Sequence, residues 1–372
     1  MKILLLGDYS NFHPCLAAAL TRMGHQVTVA SDGCKWMDTR RAINLSRPLK
    51  GPLGGALLFM RMMASRQLEG FDVVSLINPS FVTLRPPRLR VLFDRLKNRN
   101  GAVFLNACGT DKAYMDMVTA EECPLRYTEY RNPDGSPNPA NAETLAEDRQ
   151  WQQGEIADFC EYVYDNVDGV TTALYEYHKA MERRFPAEKL AYTGIPVDTT
   201  TVVPVDREFM SDGRVNMFLG RDRFRKAFKG TDRIGQAAAR LADELPDKCR
   251  LTLVENVPYA QYISAANSAD LVLDQLYSFT PATNALLAMA RGQAVLSGAE
   301  PEYYDFIGEK ENFPVINAVP DDEALYGTLV DLVLQPELIA AASIQGREFV
   351  MRHNDSMVVA RRCLDFWQSR IK

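Results

Sequence analysis

Residues 220–230 read GRDRFRKAFKG and place five cations, Arg221, Arg223, Arg225, Lys226 and Lys229, within eleven positions. A guanidinium can grip two phosphate oxygens at once and an ammonium adds point charge, so such a run can hold a phosphate or diphosphate. A basic surface loop would show the same pattern, and position must decide between the two.

A second group lies in SFTPATNALLAMARGQAV, residues 278–295. Thr280, Thr283 and Asn284 bring hydroxyl, amide and N-capping groups to the start of an almost wholly apolar, hence buried, helix. Free N–H groups and the positive dipole end there attract anions. A third group is FLNACGTD, 104–111, where Gly109 permits close backbone approach and Asp111 can accept hydroxyl groups. Cys108 has no histidine near it in sequence and reads as a buried structural thiol. His13, just after the first loop, is either a cleft residue or a half-buried packing histidine.

Absences narrow the chemistry. The chain has no GxxxxGK[ST] phosphate loop, no GxGxxG after its first strand, no GxSxG elbow and no Asp-x-Asp clamp. Standard nucleotide kinases, dinucleotide dehydrogenases and carboxylate-held divalent metals lose their main support. Seven widely spaced cysteines without a CxxC pair, and four scattered histidines, are poor material for a disulfide framework or a metal site. No cofactor is expected.

These groups need strands to end beside them. Apolar runs at 3–6, 27–30, 73–77, 103–106, 169–172 and 190–193, with helices between, predict a parallel sheet covered on both faces. The Pro/Asn/Gly-rich stretch 131–148 predicts a loop, and the polar break at 203–213 a linker. Strands then resume at 216–219, 250–254, 271–273 and 294–296. In the helix predicted over 232–245, Ile234, Ala238, Leu241 and Leu245 share one face. The expected organisation is two Rossmann-like doubly wound α/β domains, 1–205 and 206–354, facing a central cleft, with a C-terminal helix at about 355–372 packing back onto the first. Ligands then belong at the carboxyl ends of the strands.

The 372 residues are too long for one core. Net charge is −6, which argues against nucleic acid, yet residues 1–100 carry 15 Lys/Arg against 6 Asp/Glu. Arg40, Arg41, Arg47, Lys50 and Arg61 flank the apolar segment 53–60, which reads as an interfacial helix on anionic membrane or as a buried helix with a basic rim. The opening MKILLLGD is too short for a signal peptide, and the expected location is cytoplasmic, peripheral at the inner membrane face.

Five segments in order carry a resemblance. MKILLLGDYSNFHPCLAAALTRMGHQVTVAS resembles the opening of the GT-B fold retaining glycosyltransferases of family four (group one). NACGTD is similar to the family's "HGTD", and VDGVTTALYEY with LAYTGIPVD resembles the stretch ending in "NGID". FLGRDRFRKAFKG resembles "GR…KG", and LLAMARGQAVLSGAEPEYYD resembles "EAMAxGxPVv…GxPE". DQLYSFTPATNALLAMARGQ is close to a polysaccharide-biosynthesis subgroup.

The resemblance implies a nucleotide diphosphate sugar bound by the C-terminal domain and a glycan or lipid-linked acceptor bound by the N-terminal one. Arg221 and Lys229 match the cation pair on the donor diphosphate, preceded by Gly220, and Glu302 matches the glutamate of "GxPE". Gly7 matches the loop near the transferred sugar, and His13, Gly109 and Asp111 fall on the acceptor side. The family's two glutamates eight positions apart are here Phe279 and Leu287, and its "HGTD" histidine is Cys108. Thr280, Thr283, Asn284 and Glu300 are expected to take over the sugar contacts. The implied transfer is metal-independent, with same-face attack. The alternatives are a catalytically silent GT-B sugar-nucleotide-binding or assembly protein, supported by the missing glutamates, and a GT-B nucleotide-sugar epimerase, which would want more cleft histidines and carboxylates.

Overall fold

The structure, a computed structural model, describes residues 1–34 and 37–371. The chain divides into two compact units. The first comprises Met1–Cys123, Ala146–Asp198 and Ser356–Lys372, the second Pro124–Leu145 and Thr199–Asp355.

The first unit is built on seven parallel strands: β1 (Lys2–Leu6), β2 (Gln26–Ser31), β3 (Ile43–Asn44), β4 (Val73–Leu76), β5 (Ala102–Ala107), β6 (Gly169–Thr172) and β7 (Leu190–Tyr192). Their order is β3-β2-β1-β4-β5-β6-β7. The continuous apolar runs are strands because both sheet faces are covered: Ile3 to Leu6 are wholly buried, as are all four residues of β4. The order reverses between β1 and β4, so the loops after those strands, 7–11 and 77–85, open the crevice of this unit. The C-terminal helix Ser356–Arg370 lies on the sheet through Phe366 and Trp367, whose rings sit 5.9 and 6.0 Å from that of Phe104.

The second unit holds β8 (Val215–Arg221), β9 (Cys249–Glu255), β10 (Leu271–Leu273), β11 (Ala294–Ser297) and β12 (Ile316–Asn317), all parallel, in the order β12-β11-β10-β8-β9. Ile234, Ala238 and Leu241 of helix Thr231–Glu244 reach its core, the face predicted from their spacing. Here the reversal lies between β8 and β10, which aims attention at Arg221 and at the residues after Leu273.

Two expectations need revision. The division falls after Asp198 rather than at 205, and Pro124–Leu145 belongs to the second unit although it interrupts the first in sequence. The stretch 131–148 is not all loop. Its latter part is the helix Ala142–Asp148, and Asn138 and Asn141 both donate to the Glu129 carbonyl, at 2.9 and 2.7 Å, drawing its ends together. Composition marks such a segment as irregular but does not say what it packs against. Among the described residues no single helix is long and apolar enough to cross a membrane.

Candidate functional site

In the second unit the predicted cations do not act as one group. Arg221, the last residue of β8, pairs through Nε with Glu255 Oε2 at 2.8 Å, at the end of the adjacent β9. Gly220 precedes it because a side chain there would run into the Tyr262 ring, 2.1 Å from an added Cβ. Arg223, Arg225 and Lys226 are exposed, and the first two rest over the rings of Phe224 and Phe228. Lys229 closes the short helix Lys226–Lys229, and its carbonyl accepts from Leu276 N at 2.8 Å, which ties it to the segment after β10.

The Lys229 charge is within electrostatic reach of a carboxylate that sequence reasoning passed over. Asp274 directly follows β10 and is buried. Burial pushes its carboxyl up, and the Lys229 charge, the Asn284 amide and the Ala285 N–H oppose that rise. Asn284 Nδ2 stands 3.5 Å from Oδ1, while Oδ2 is buried without a hydrogen-bond partner among the described residues. Asn284 thus stands against Asp274, and the Lys229 charge acts on the same carboxylate without a direct ion pair among the described residues. An acid placed directly after the apolar run 271–273 was the available signal.

The capping expectation for Thr280 and Thr283 is corrected. The helix spans Thr283–Ala290, its N-cap is Ala282, and no side chain caps it. Thr283 is the first helical residue, and Thr280 is buried with its carbonyl accepting from Ser278 Oγ at 2.6 Å. The Asp274 carboxylate already stands where these amides could hold an anion.

Glu300 and Glu302 are held together by Arg126, which the sequence reading missed. Arg126 Nε donates to Glu302 Oε1 at 2.7 Å, and its Nη2 reaches Glu300. Glu300 is buried and also accepts from the Tyr127 hydroxyl and from Asn317 Nδ2 (3.0 Å). Two carboxylates hold the Arg126 guanidinium above its ordinary pKa. Phe279, where the family has a glutamate, is buried with its ring 5.0 Å from Tyr127. Leu287 is half-buried. A cavity of about 690 Å³ lies beside this group, lined among others by Arg126, Tyr127, Asn138, Arg233, Tyr277 and Asp321, a volume in the range of small-molecule sites.

In the first unit, Gly7 directly follows β1 with φ +81°, and an added Cβ would lie 2.4 Å from Ile77 Cγ2 and 2.7 Å from the Phe81 carbonyl oxygen. Only glycine meets both conditions. His13 is wholly buried, so it is a packing residue rather than one lining an open cleft. Its Nδ1 lies 2.6 Å from the Gly7 carbonyl, which places the proton on Nδ1 and leaves buried Nε2 without a partner among the described residues. Asp8 accepts from His13 N (3.1 Å) and from Thr39 Oγ1 (2.8 Å). Burial raises Asp8 to about 6 and lowers His13 to about 4.

Asp111 is buried and caps the helix Lys112–Val118, accepting from Tyr114 N at 2.9 Å, so its observed job is local. Burial lifts it to about 6. Gly109 lies under the Tyr9 ring, 3.1 Å from an added Cβ, and burial raises the neighbouring Cys108 thiol to about 12, an inert value. Gly7, Gly109 and Asp111 therefore gather at the carboxyl ends of β1 and β5. All seven cysteines are free, and among the described residues no group of three His, Cys, Asp or Glu is placed to hold a metal ion.

No family model matches the sequence, and no curated protein matches it. Solved structures match along the whole chain. A sucrose-phosphate synthase from Thermosynechococcus elongatus is 13% identical, with TM-score 0.63 over 99% of this chain and 98% of that one. Anabaena HepE, solved in complex with UDP-glucose, is 11% identical, with TM-score 0.59 over 99% and 100%. WaaG, a glycosyltransferase involved in lipopolysaccharide biosynthesis, is 13% identical, with TM-score 0.57 over 98% and 99%. The fold is GT-B.

Proposed function

We propose that this chain is a hexosyltransferase-type glycosyltransferase. It would move a sugar from a nucleotide diphosphate sugar to a glycan or lipid-linked acceptor in surface-polysaccharide synthesis, at the cytoplasmic face of a membrane. The observation that supports this most is the Asn284–Asp274 contact, within reach of the Lys229 charge, where the strand order of the second sheet reverses, with Arg221 at the end of the adjoining strand. The likeness to a fold solved elsewhere with UDP-glucose adds support.

The leaving group of such a reaction is a nucleoside diphosphate, and charge builds on it as the glycosidic bond breaks. Lys229 supplies an ammonium held by its backbone to the segment after β10. Among the described residues the two Nη nitrogens of Arg221 have no partner beyond its Nε pair with Glu255. Such contacts tighten in the transition state, which is what accelerates the step. We assign retention of configuration to same-face attack, with the departing phosphate oxygen taking the acceptor proton. That route asks for no carboxylate nucleophile and no metal.

A second reading has its own support. Phe279 and Leu287 cannot accept sugar hydroxyls, and Glu300 and Glu302 are already engaged by Arg126. A catalytically silent GT-B protein that binds sugar nucleotide would look like this. The full chain, offered a panel of nucleotide diphosphate sugars, separates the readings: release of nucleoside diphosphate supports the transferase, whereas a thermal shift without turnover supports the silent protein. Neither response to any donor rejects both.

A further inference from the structure

The first unit contains an arginine-lined cavity that the donor reading does not use. It measures about 440 Å³ and is lined by Arg47, Gly51, Pro52, Gly55, Leu84, Arg85, Pro87 and Arg88. Three guanidinium groups border it and no carboxylate does. Among the described residues, none of the three has an acidic partner within ion-pair distance. Arg47 donates through Nε and Nη2 to the Thr83 carbonyl, at 2.8 and 2.6 Å, so a structural contact fixes its head. Among the described residues the Arg85 and Arg88 guanidinium groups make no hydrogen bond within the chain, although Arg88 passes 5.9 Å from the Phe59 ring centre.

Arg47 and Arg85 are exposed and Arg88 is half-buried, so water screens part of their mutual repulsion, and an anion in the cavity would offset the rest. Two fourteen-residue helices, Gly51–Ala64 and Pro86–Arg99, start at this cavity, and neither has a side-chain cap. Their free N–H groups add to the same positive field. The cavity follows β3 and β4 in sequence, and so lies toward the carboxyl ends of the strands. Beside its lining residues in sequence, Leu49 and Leu53 are exposed, at 50% and 61%. A basic cavity with an apolar margin fits a ligand charged at one end and oily at the other.

We infer that Arg47, Arg85 and Arg88 form a second anion site, which takes the phosphate or diphosphate group of an amphipathic, lipid-linked acceptor. This rests on the acceptor half of the reading above but not on its donor half. The unit's excess of base, 15 Lys/Arg against 6 Asp/Glu in residues 1–100, would draw such a ligand in.

The test is calorimetric titration of the full chain with farnesyl diphosphate below its aggregation limit, with inorganic pyrophosphate and, separately, with UDP. Farnesyl diphosphate should bind at least tenfold more tightly than pyrophosphate. The Arg85→Gln/Arg88→Gln double variant, whose melting temperature should stay within a few degrees, should weaken both at least tenfold while leaving UDP binding unchanged. Arg40→Gln/Arg66→Gln, exposed arginines of the same unit outside the cavity, should change neither by more than twofold. Equal affinity for the two diphosphates would overturn the lipid assignment, and equal losses in the two double variants would overturn the site. Loss of UDP binding alone in Lys229→Ala would concern the donor site and leave this one standing.

Discussion

Arg126 donates from Nε to Glu302 Oε1 at 2.7 Å, across 176 residues of sequence, and its second nitrogen reaches Glu300. One guanidinium thereby fastens the segment Pro124–Leu145 to the loop that follows β11 and to the start of the helix Pro301–Ile307. Arg126 is half exposed, so solvent screens part of the interaction. Glu300, by contrast, is buried and would keep only Tyr127 and Asn317 as partners. Arg126→Ala should therefore lower unfolding free energy by about 1–2 kcal/mol in urea denaturation. Arg126→Lys should recover less than half, because an ammonium cannot span two carboxylates as a fork does. Unchanged stability in Arg126→Ala would show that the clamp holds nothing.

Asp8 and His13 should pull the pH dependence of stability in opposite directions. Asp8 rises on folding from 3.8 to about 6, so between those values the native state holds a proton that the unfolded chain has lost. Its contribution falls as pH rises. His13 drops from 6.5 to about 4, so there the unfolded chain holds a proton that the native state refuses, and its contribution rises with pH. Each amounts to about 3 kcal/mol at most, and they largely cancel in the native protein. Asp8→Asn unmasks His13: relative to the native protein it should lose stability on going from pH 6.5 to 4. His13→Asn, which keeps a donor for the Gly7 carbonyl, should gain over the same range. Urea midpoints at several pH values give both slopes, and slopes of one sign in the two variants reject the assignment.

The sheets were readable from sequence and the pairings that furnish the site were not, for a physical reason. Runs such as Ile3–Leu6 and Leu271–Leu273 are buried on both faces, which leaves a continuous apolar signature. Strands Ile43–Asn44 and Ile316–Asn317 have two residues each, too few for any periodicity. Lys229 and Asn284 could be picked out because strand-end loops are where ligands bind, yet Asp274 between them was overlooked despite its place after an apolar run. Arg126 gave no local sign, since its partners are supplied by the fold. The helix start at Thr283 misled because Thr is a favoured cap, while here the N-cap position is Ala282 and Thr283 is already helical.

Restoring the family's glutamate at position 279 should not restore a sugar contact. Phe279 is buried, packed 5.0 Å from the Tyr127 ring and 5.8 Å from the Arg126 guanidinium. Phe279→Glu would bury a carboxylate among these groups, at a cost of about 3–5 kcal/mol. Phe279→Leu should cost about 1–2 kcal/mol, as a smaller apolar residue in the same space. Thermal and urea unfolding measure both. A glutamate variant as stable as the native protein, with tighter nucleotide-sugar binding, would show that position 279 still faces a sugar.

Lys229 carries the sharpest test of the donor assignment. Its ammonium acts on buried Asp274, while its backbone is held by Leu276 N, so removal of the side chain leaves the local hydrogen bond in place. Lys229→Ala should therefore melt within a few degrees of the native protein. If the ammonium steadies charge on the departing diphosphate, turnover should fall at least about a hundredfold, the loss expected for one preorganised electrostatic contact. Lys229→Arg keeps the charge but not the reach, and should recover part of that loss. Because the contact strengthens as the bond breaks, kcat should fall further than KM rises. Near-normal turnover in Lys229→Ala, or a loss confined to KM, would remove this residue from the chemistry.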